Sequence, residues 1–120
     1  MTLRRMKTYT GETGYVYQYY FVGKREALAD AAEAPATEYI FDVTPDRKTV
    51  FAVSVFVRRE ALAAWAARHG RPLTEPEQYA AAKMRLFQGF DRIDDLRQQS
   101  RRLPVDAGNV EELLAGLGVE

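Results

Sequence analysis

Seven of the eight residues at positions 15–22 are aromatic or β-branched: Tyr15, Val16, Tyr17, Tyr19, Tyr20, Phe21 and Val22, with Gln18 the exception. In a helix such side chains lose rotamer freedom against the preceding turn, whereas a pleated strand gives them room. The run is therefore expected to be a strand. Alternation puts Tyr15, Tyr17, Tyr19 and Phe21 on one face and Val16, Gln18, Tyr20 and Val22 on the other.

Two further stretches alternate. Tyr39, Phe41 and Val43 share one face of 38–43, and Phe51, Val53, Val55 and Val57 share one face of 50–57. Between them, Pro45 suits the second position of a type I turn and Asp46 tolerates the next. The pattern predicts a β-hairpin over 38–57.

The remaining elements read as helices. Residues 24–34 are rich in alanine and charged residues, which favour helix, with Leu28 the single large apolar side chain. Pro35 would end a short helix there. Leu62, Trp65, Ala66 and His69 form one stripe of a helix over 59–69, closed by Gly70 and Pro72. Thr74-Glu75-Pro76-Glu77 is a capping box opening a long helix over 75–100, with a stripe through Tyr79, Ala82, Leu86, Phe90 and Ile93. After a loop at 103–108, Asn109-Val110-Glu111-Glu112 reads as a second capping box, before a short tail helix carrying Leu113, Leu114 and Leu117.

Together these predict a single α+β domain over 1–120. A small three-stranded antiparallel sheet, the 38–57 hairpin plus strand 15–22, would carry helices on one face, including the long C-terminal helix 75–100. Residues 1–13 would be an irregular N-terminal segment, and 103–120 a loop and short tail helix. A split βαβ arrangement is the alternative.

Composition bounds the function. Seventeen basic and 17 acidic residues cancel, which removes the global electrostatic pull of a general nucleic-acid binder. Cysteine is absent, so thiol catalysis and cysteine-ligated zinc are excluded. The basic start is followed by no apolar run, and no stretch reaches the roughly 18 apolar residues of a spanning helix. A cytoplasmic location without membrane contact is the expectation. Thirteen arginines against four lysines, with abundant alanine, point to a GC-rich bacterial source.

No phosphate loop, dinucleotide fingerprint or nucleophile elbow occurs. Metal and cofactor sites are therefore not expected. His69, the only histidine, sits in the last turn of its helix, where the dipole favours a polar ring. Asp91, Asp94 and Asp95 are interleaved with Arg92 and Arg97 and read as a solvated, salt-bridged face.

Three functional readings follow. Scarce catalytic residue types and a surplus of aromatic and leucine surface favour a non-catalytic protein-binding domain, partnered by another protein or by a second copy of itself as a homodimer. Tyr15, Tyr17, Tyr19, Leu113, Leu114 and Leu117 are its interface candidates. The second reading is a nucleic-acid module, disfavoured by the charge balance. It would combine the tyrosine face with Arg47, Lys48, Arg58, Arg59, Arg97, Arg101 and Arg102. The third is a small-ligand or enzyme pocket between the sheet and the long helix, walled by Tyr79, Lys83 and Phe87, where a desolvated lysine becomes reactive.

Overall fold

A computed structural model of the chain describes residues 6–11, 16–29, 34–92 and 101–119. Within them lie β1 (Lys7–Thr10), β2 (Val16–Ala29), β3 (Ala34–Thr44), β4 (Phe51–Arg58), α1 (Arg59–His69), α2 (Glu75–Arg92), β5 (Arg102–Val105) and α3 (Val110–Ala115). The strands form one sheet in the order β1-β2-β3-β4-β5, curled into a half-barrel.

The first four strands meander antiparallel. β3 and β4 pair Tyr39 with Val55, Phe41 with Val53 and Val43 with Phe51, as the alternation over 38–57 predicts. At their turn, Thr44 Oγ1 accepts from the Arg47 backbone N–H (2.9 Å), and Asp46 Oδ1 accepts from those of Lys48 and Thr49 (2.8 Å each). These bonds hold Arg47 at φ 66°, a left-handed conformation that a non-glycine residue adopts only under such constraint. β5 runs parallel to β4, Val55 opposite Leu103 and Val57 opposite Val105. A parallel neighbour needs a crossover, and α1 and α2 supply it.

All three helices add side chains to a single large core on the concave face of the sheet. Tyr17 and Tyr19 of β2, Phe41 of β3, Val53 and Val55 of β4 and Leu103 of β5 meet Trp65 of α1, Leu86 and Phe90 of α2 and Leu114 of α3. Tyr17 stacks on Phe90 with centroids 4.3 Å apart, and Tyr9 on Phe87 at 4.4 Å. Such pairs add about 0.5–1.5 kcal/mol each beyond the area they bury.

The three-stranded sheet expected from the sequence is thus a five-stranded mixed one. Two strands went unread because each is only four residues long. β1 lies inside the segment expected to be irregular, and β5 overlaps the expected 103–108 loop, with Pro104 in its middle. Proline is tolerated there because β5 is an edge strand.

The helix expected over 24–34 is also corrected: Lys24 to Ala29 continue β2, and Ala34 begins β3. Helix propensity, worth tenths of a kcal/mol per residue, is overridden by the ladder from Lys24–Tyr39 to Ala29–Ala34. Cross-strand and tertiary charge pairs reinforce it: Lys24 with Glu75 (3.7 Å), Arg25 with Glu38 (2.8 Å), and Glu26 with Arg59. A β-bulge between Phe21 and Gly23 shifts the register. Odd positions face the core before it, and after it the even position Lys24 pairs with the core residue Tyr39.

The long C-terminal helix over 75–100 is corrected as well. The described helix is Glu75–Arg92, residues 93–100 lie outside the described residues, and β5 and α3 follow. Its capping box forms as expected: the Thr74 N–H donates to Glu77 Oε1 (2.9 Å), and the Glu77 N–H donates to Thr74 Oγ1 (3.3 Å). Gly70 closes α1 in the left-handed region at φ 73°. The second capping box does not form. Asn109 Oδ1 accepts from the Asp106 N–H instead (2.9 Å), and Asp106 Oδ1 accepts from those of Gly108 and Asn109. Asp106, three residues earlier, organises the turn into α3.

Candidate functional site

Where β1 ends alongside β2, a cleft of about 170 Å³ opens between the sheet and α2, lined by Lys7, Tyr19, Tyr20, Phe21 and Tyr79. Its wall is three consecutive residues of β2, Tyr19 to Phe21, with Lys7 of β1 and Tyr79 of α2. Tyr79 and Lys83 are four residues apart on α2, and Phe87 four further, so all three share a face. Of the expected pocket residues only Tyr79 lines this cleft; Lys83 and Phe87 share its face of α2 but are not among the lining residues. Lys83 Nζ stands 5.8 Å from the Tyr79 ring centroid and 5.9 Å from those of Tyr19 and Phe87. Phe21 meets Tyr79 edge-on at 5.0 Å.

The electrostatics of this cleft follow from its apolar walls. Burial pushes the Lys83 ammonium below the ordinary lysine value, and the neighbouring charge and hydrogen-bonding amine of Lys7 push the same way. Burial raises the Tyr19 and Tyr79 phenols, so both stay protonated at neutral pH. Among its described lining residues the cleft holds one amine, Lys7, and no carboxylate.

The interface candidates are distributed differently from the expectation. Tyr17 and Tyr19 are each only 5% exposed and sit in the core beneath α2, so they offer no surface for an interface. Leu113 and Leu114 are buried too: the tail helix docks on its own chain, against α1 and α2. Leu117 remains exposed, and Tyr15 lies outside the described residues. The apolar side chains that do face solvent are Val16, Val22, Leu28 and Val50.

The arginine groups are also separated. Arg47 and Lys48 occupy the β3–β4 turn, while Arg58 and Arg59 lie at the far end of β4, a strand length of roughly 25 Å away. They do not form one patch. Arg47 Nε donates to Gln18, Arg58 pairs with Glu60, and Arg59 with Glu26. Arg101 lies over the Phe51 ring at 5.5 Å and Arg102 over Phe56 at 4.4 Å; Arg97 is outside the described residues.

Sequence reasoning missed a polar cluster on the convex face. Glu38 is almost fully buried and accepts from Arg25 Nε (2.8 Å) and Ser54 Oγ (2.6 Å). Burial alone would raise its carboxyl, but those two hydrogen bonds and the charges of Arg25 and Arg102 outweigh it and hold the carboxyl below its usual value. The available signal was Glu38 itself, a carboxylate on the face of β3 opposite Tyr39 and Phe41.

His69 reaches a second cleft, of about 380 Å³, shared with Glu111, Ala115, Gly118 and Val119. Among its described lining residues there is no hydroxyl or thiol for the His–Glu pair to activate. Asp91 accepts from Tyr9 Oη at 2.7 Å, while Asp94 and Asp95 lie outside the described residues. Among the described residues no group of histidine and carboxylate side chains is arranged to hold a metal ion. No described helix is long and apolar enough to cross a membrane. Compared with protein-family models, curated proteins and solved structures, the chain matches none.

Proposed function

We propose that this chain is a non-catalytic, self-associating domain of the bacterial cytoplasm that works by protein binding, and that a second copy pairs along the free edge of β2. One observation carries the reading. β1 covers β2 only from Val16 to Tyr19, so from Phe21 to Ala29 the side of β2 away from β3 has no strand partner among the described residues. Such an edge is a template for strand addition.

The edge is self-complementary in one register. With a twofold axis at Arg25, Lys24 faces Glu26 of the second copy, and Val22 comes level with Leu28. These two apolar side chains are 46% and 57% exposed in the single chain. Arg25 meets its own copy on the axis, where Glu38 of each chain neutralises it. A shift of two residues either way takes Val22 and Leu28 out of level with each other and sets them against charged or polar neighbours. The twofold dimer is also the commonest soluble assembly. A cysteine-free chain suits a reducing compartment.

Sedimentation at micromolar concentration tests this. The expected mass is twice that of the 13.6 kDa chain. The exposed substitutions Val22→Lys and Leu28→Lys should give monomer with an unchanged melting temperature. A wild-type chain that sediments as monomer overturns the reading.

A further inference from the structure

We propose that the turn between β3 and β4 forms, with the strands beside it, a binding site for a small zwitterion, a free α-amino acid with a short apolar side chain.

The site is built on a polar row. Thr8, Gln18 and Thr44 stand level across β1, β2 and β3. Their neighbours Tyr9, Tyr17, Tyr19 and Val43 pack in the core, so alternation puts the row on the sheet face away from the helices. The β3–β4 turn borders it and completes a cleft of about 250 Å³, lined also by Val16, Pro45, Asp46 and Arg47.

Arg47 gives the cleft a prepared cation. Its backbone stands at φ 66°, where a glycine would sit without strain. Non-glycine residues held in this region cost stability and cluster at functional sites. Its guanidinium is also fixed: Nε donates to Gln18 Oε1 at 3.2 Å, and the terminal nitrogens make no hydrogen bond or ion pair among the described residues. Other cations without a carboxylate partner lack this setting. Lys48 is not among the lining residues, and Arg85 spends its Nε on the Pro104 carbonyl.

Asp46 supplies the opposite charge. Its Oδ1 accepts from the Lys48 and Thr49 N–H groups (2.8 Å each), while Oδ2 has no partner among the described residues. The Thr49 bond first, and then the Lys48 bond, hold the carboxyl below its usual value, so it is ionised at neutral pH. No ion pair joins it to Arg47. The cleft thus offers a free cationic fork and a free carboxylate oxygen, with no net charge. The fork matches a carboxylate bidentately, and Asp46 then receives the α-ammonium of the same ligand. A plain anion would leave Asp46 unanswered and be repelled by it. Val16, 48% exposed, and Pro45 give a short apolar side chain a surface to cover. The site lies at the other end of β2 from the 21–29 edge and does not depend on self-association.

Amide chemical shifts followed by NMR during titration with L-valine test the assignment. Isovalerate, which lacks the ammonium, and isobutylamine, which lacks the carboxylate, are the comparison probes. Valine should move the amides of Thr8, Gln18 and Arg47 and bind about tenfold or more tightly than either comparison probe. Arg47→Gly should abolish the response with a melting temperature close to wild type, because glycine takes the left-handed backbone without strain. Asp46→Asn, which keeps an Oδ1 acceptor for the turn, should reduce valine to the affinity of isovalerate. No shift with about 10 mM valine, isovalerate binding as tightly as valine, or a full response in Arg47→Gly overturns the proposal. So does an Arg47→Gly chain that loses stability along with the response, which would make Arg47 a structural residue.

Discussion

Nε2 of His69 lies 3.0 Å from both carboxylate oxygens of Glu111, joining the last turn of α1 to the first turn of α3 across 42 residues of sequence. The His69 ring in turn stacks on Trp65, with centroids 4.1 Å apart and planes 12° from parallel. A buried indole, an imidazole and a carboxylate thus run outward in one line from the core to the C-terminal helix.

Glu111→Ala removes the outer member of that line. We expect a loss of about 1 kcal/mol, since the carboxylate is partly exposed. The loss should be local: hydrogen exchange at the Leu113 and Leu114 amides should accelerate more than exchange in β3 and β4. Uniform acceleration across the sheet would show that α3 does not open separately.

Trp65 is the only tryptophan and is fully buried, with the Arg71 guanidinium 4.8 Å from its ring centroid. Trp65→Ala should destabilise the chain by about 3–5 kcal/mol, read from the shift of the urea midpoint. Trp65→Phe, which leaves a smaller cavity, should cost less. A midpoint unmoved by Trp65→Ala would remove the indole from the core.

Glu77 supplies a pH dependence. Both Arg71 terminal nitrogens donate to its carboxylate at 2.9 Å, and the Thr74 backbone N–H adds a third bond. The Arg71 bonds first, and then the Thr74 bond, hold its carboxyl down, from an ordinary 4.5 to about 2. Between those values the unfolded chain binds a proton that the folded chain does not. This contribution is therefore complete above about pH 4.5 and is lost as pH falls towards 2. Glu77→Gln should flatten the fall in the urea midpoint over that window, and added salt should flatten it in the wild type, because the pair is partly exposed. Parallel curves for the variant and wild type would exclude Glu77 as the source.

Legibility in the sequence followed the range of the interactions. The hairpin at 38–57, the helix at 59–69 with its Gly70 cap and the Thr74–Glu77 box are each decided by residues a few places apart, and alternation or spacing displays them. The strand through Lys24 to Ala29 is decided by β3, Glu75 and Arg59, none of them visible from composition, so local helix propensity misled. β1 and β5 are too short to alternate audibly above their surroundings. Of the cleft, Tyr79 was readable from helical spacing, whereas Lys83 and Phe87 share its face of α2 without lining the cleft. Lys7 was not, because only the pairing of β1 with β2 carries it there.

The parallel pairing of β4 with β5 has a consequence for synthesis. The meander through Arg58 can form from neighbours as they emerge, but the outer edge of β4 waits for Arg102 to Val105, more than forty residues later. At the usual ~5–20 residues per second a ribosome leaves that edge bare for seconds. During this interval Val53, Val55 and Val57, which the finished chain buries completely, are offered to any nascent neighbour. The most vulnerable moment for this protein thus precedes its completion, and its yield should respond to translation speed across the α1–α2 crossover.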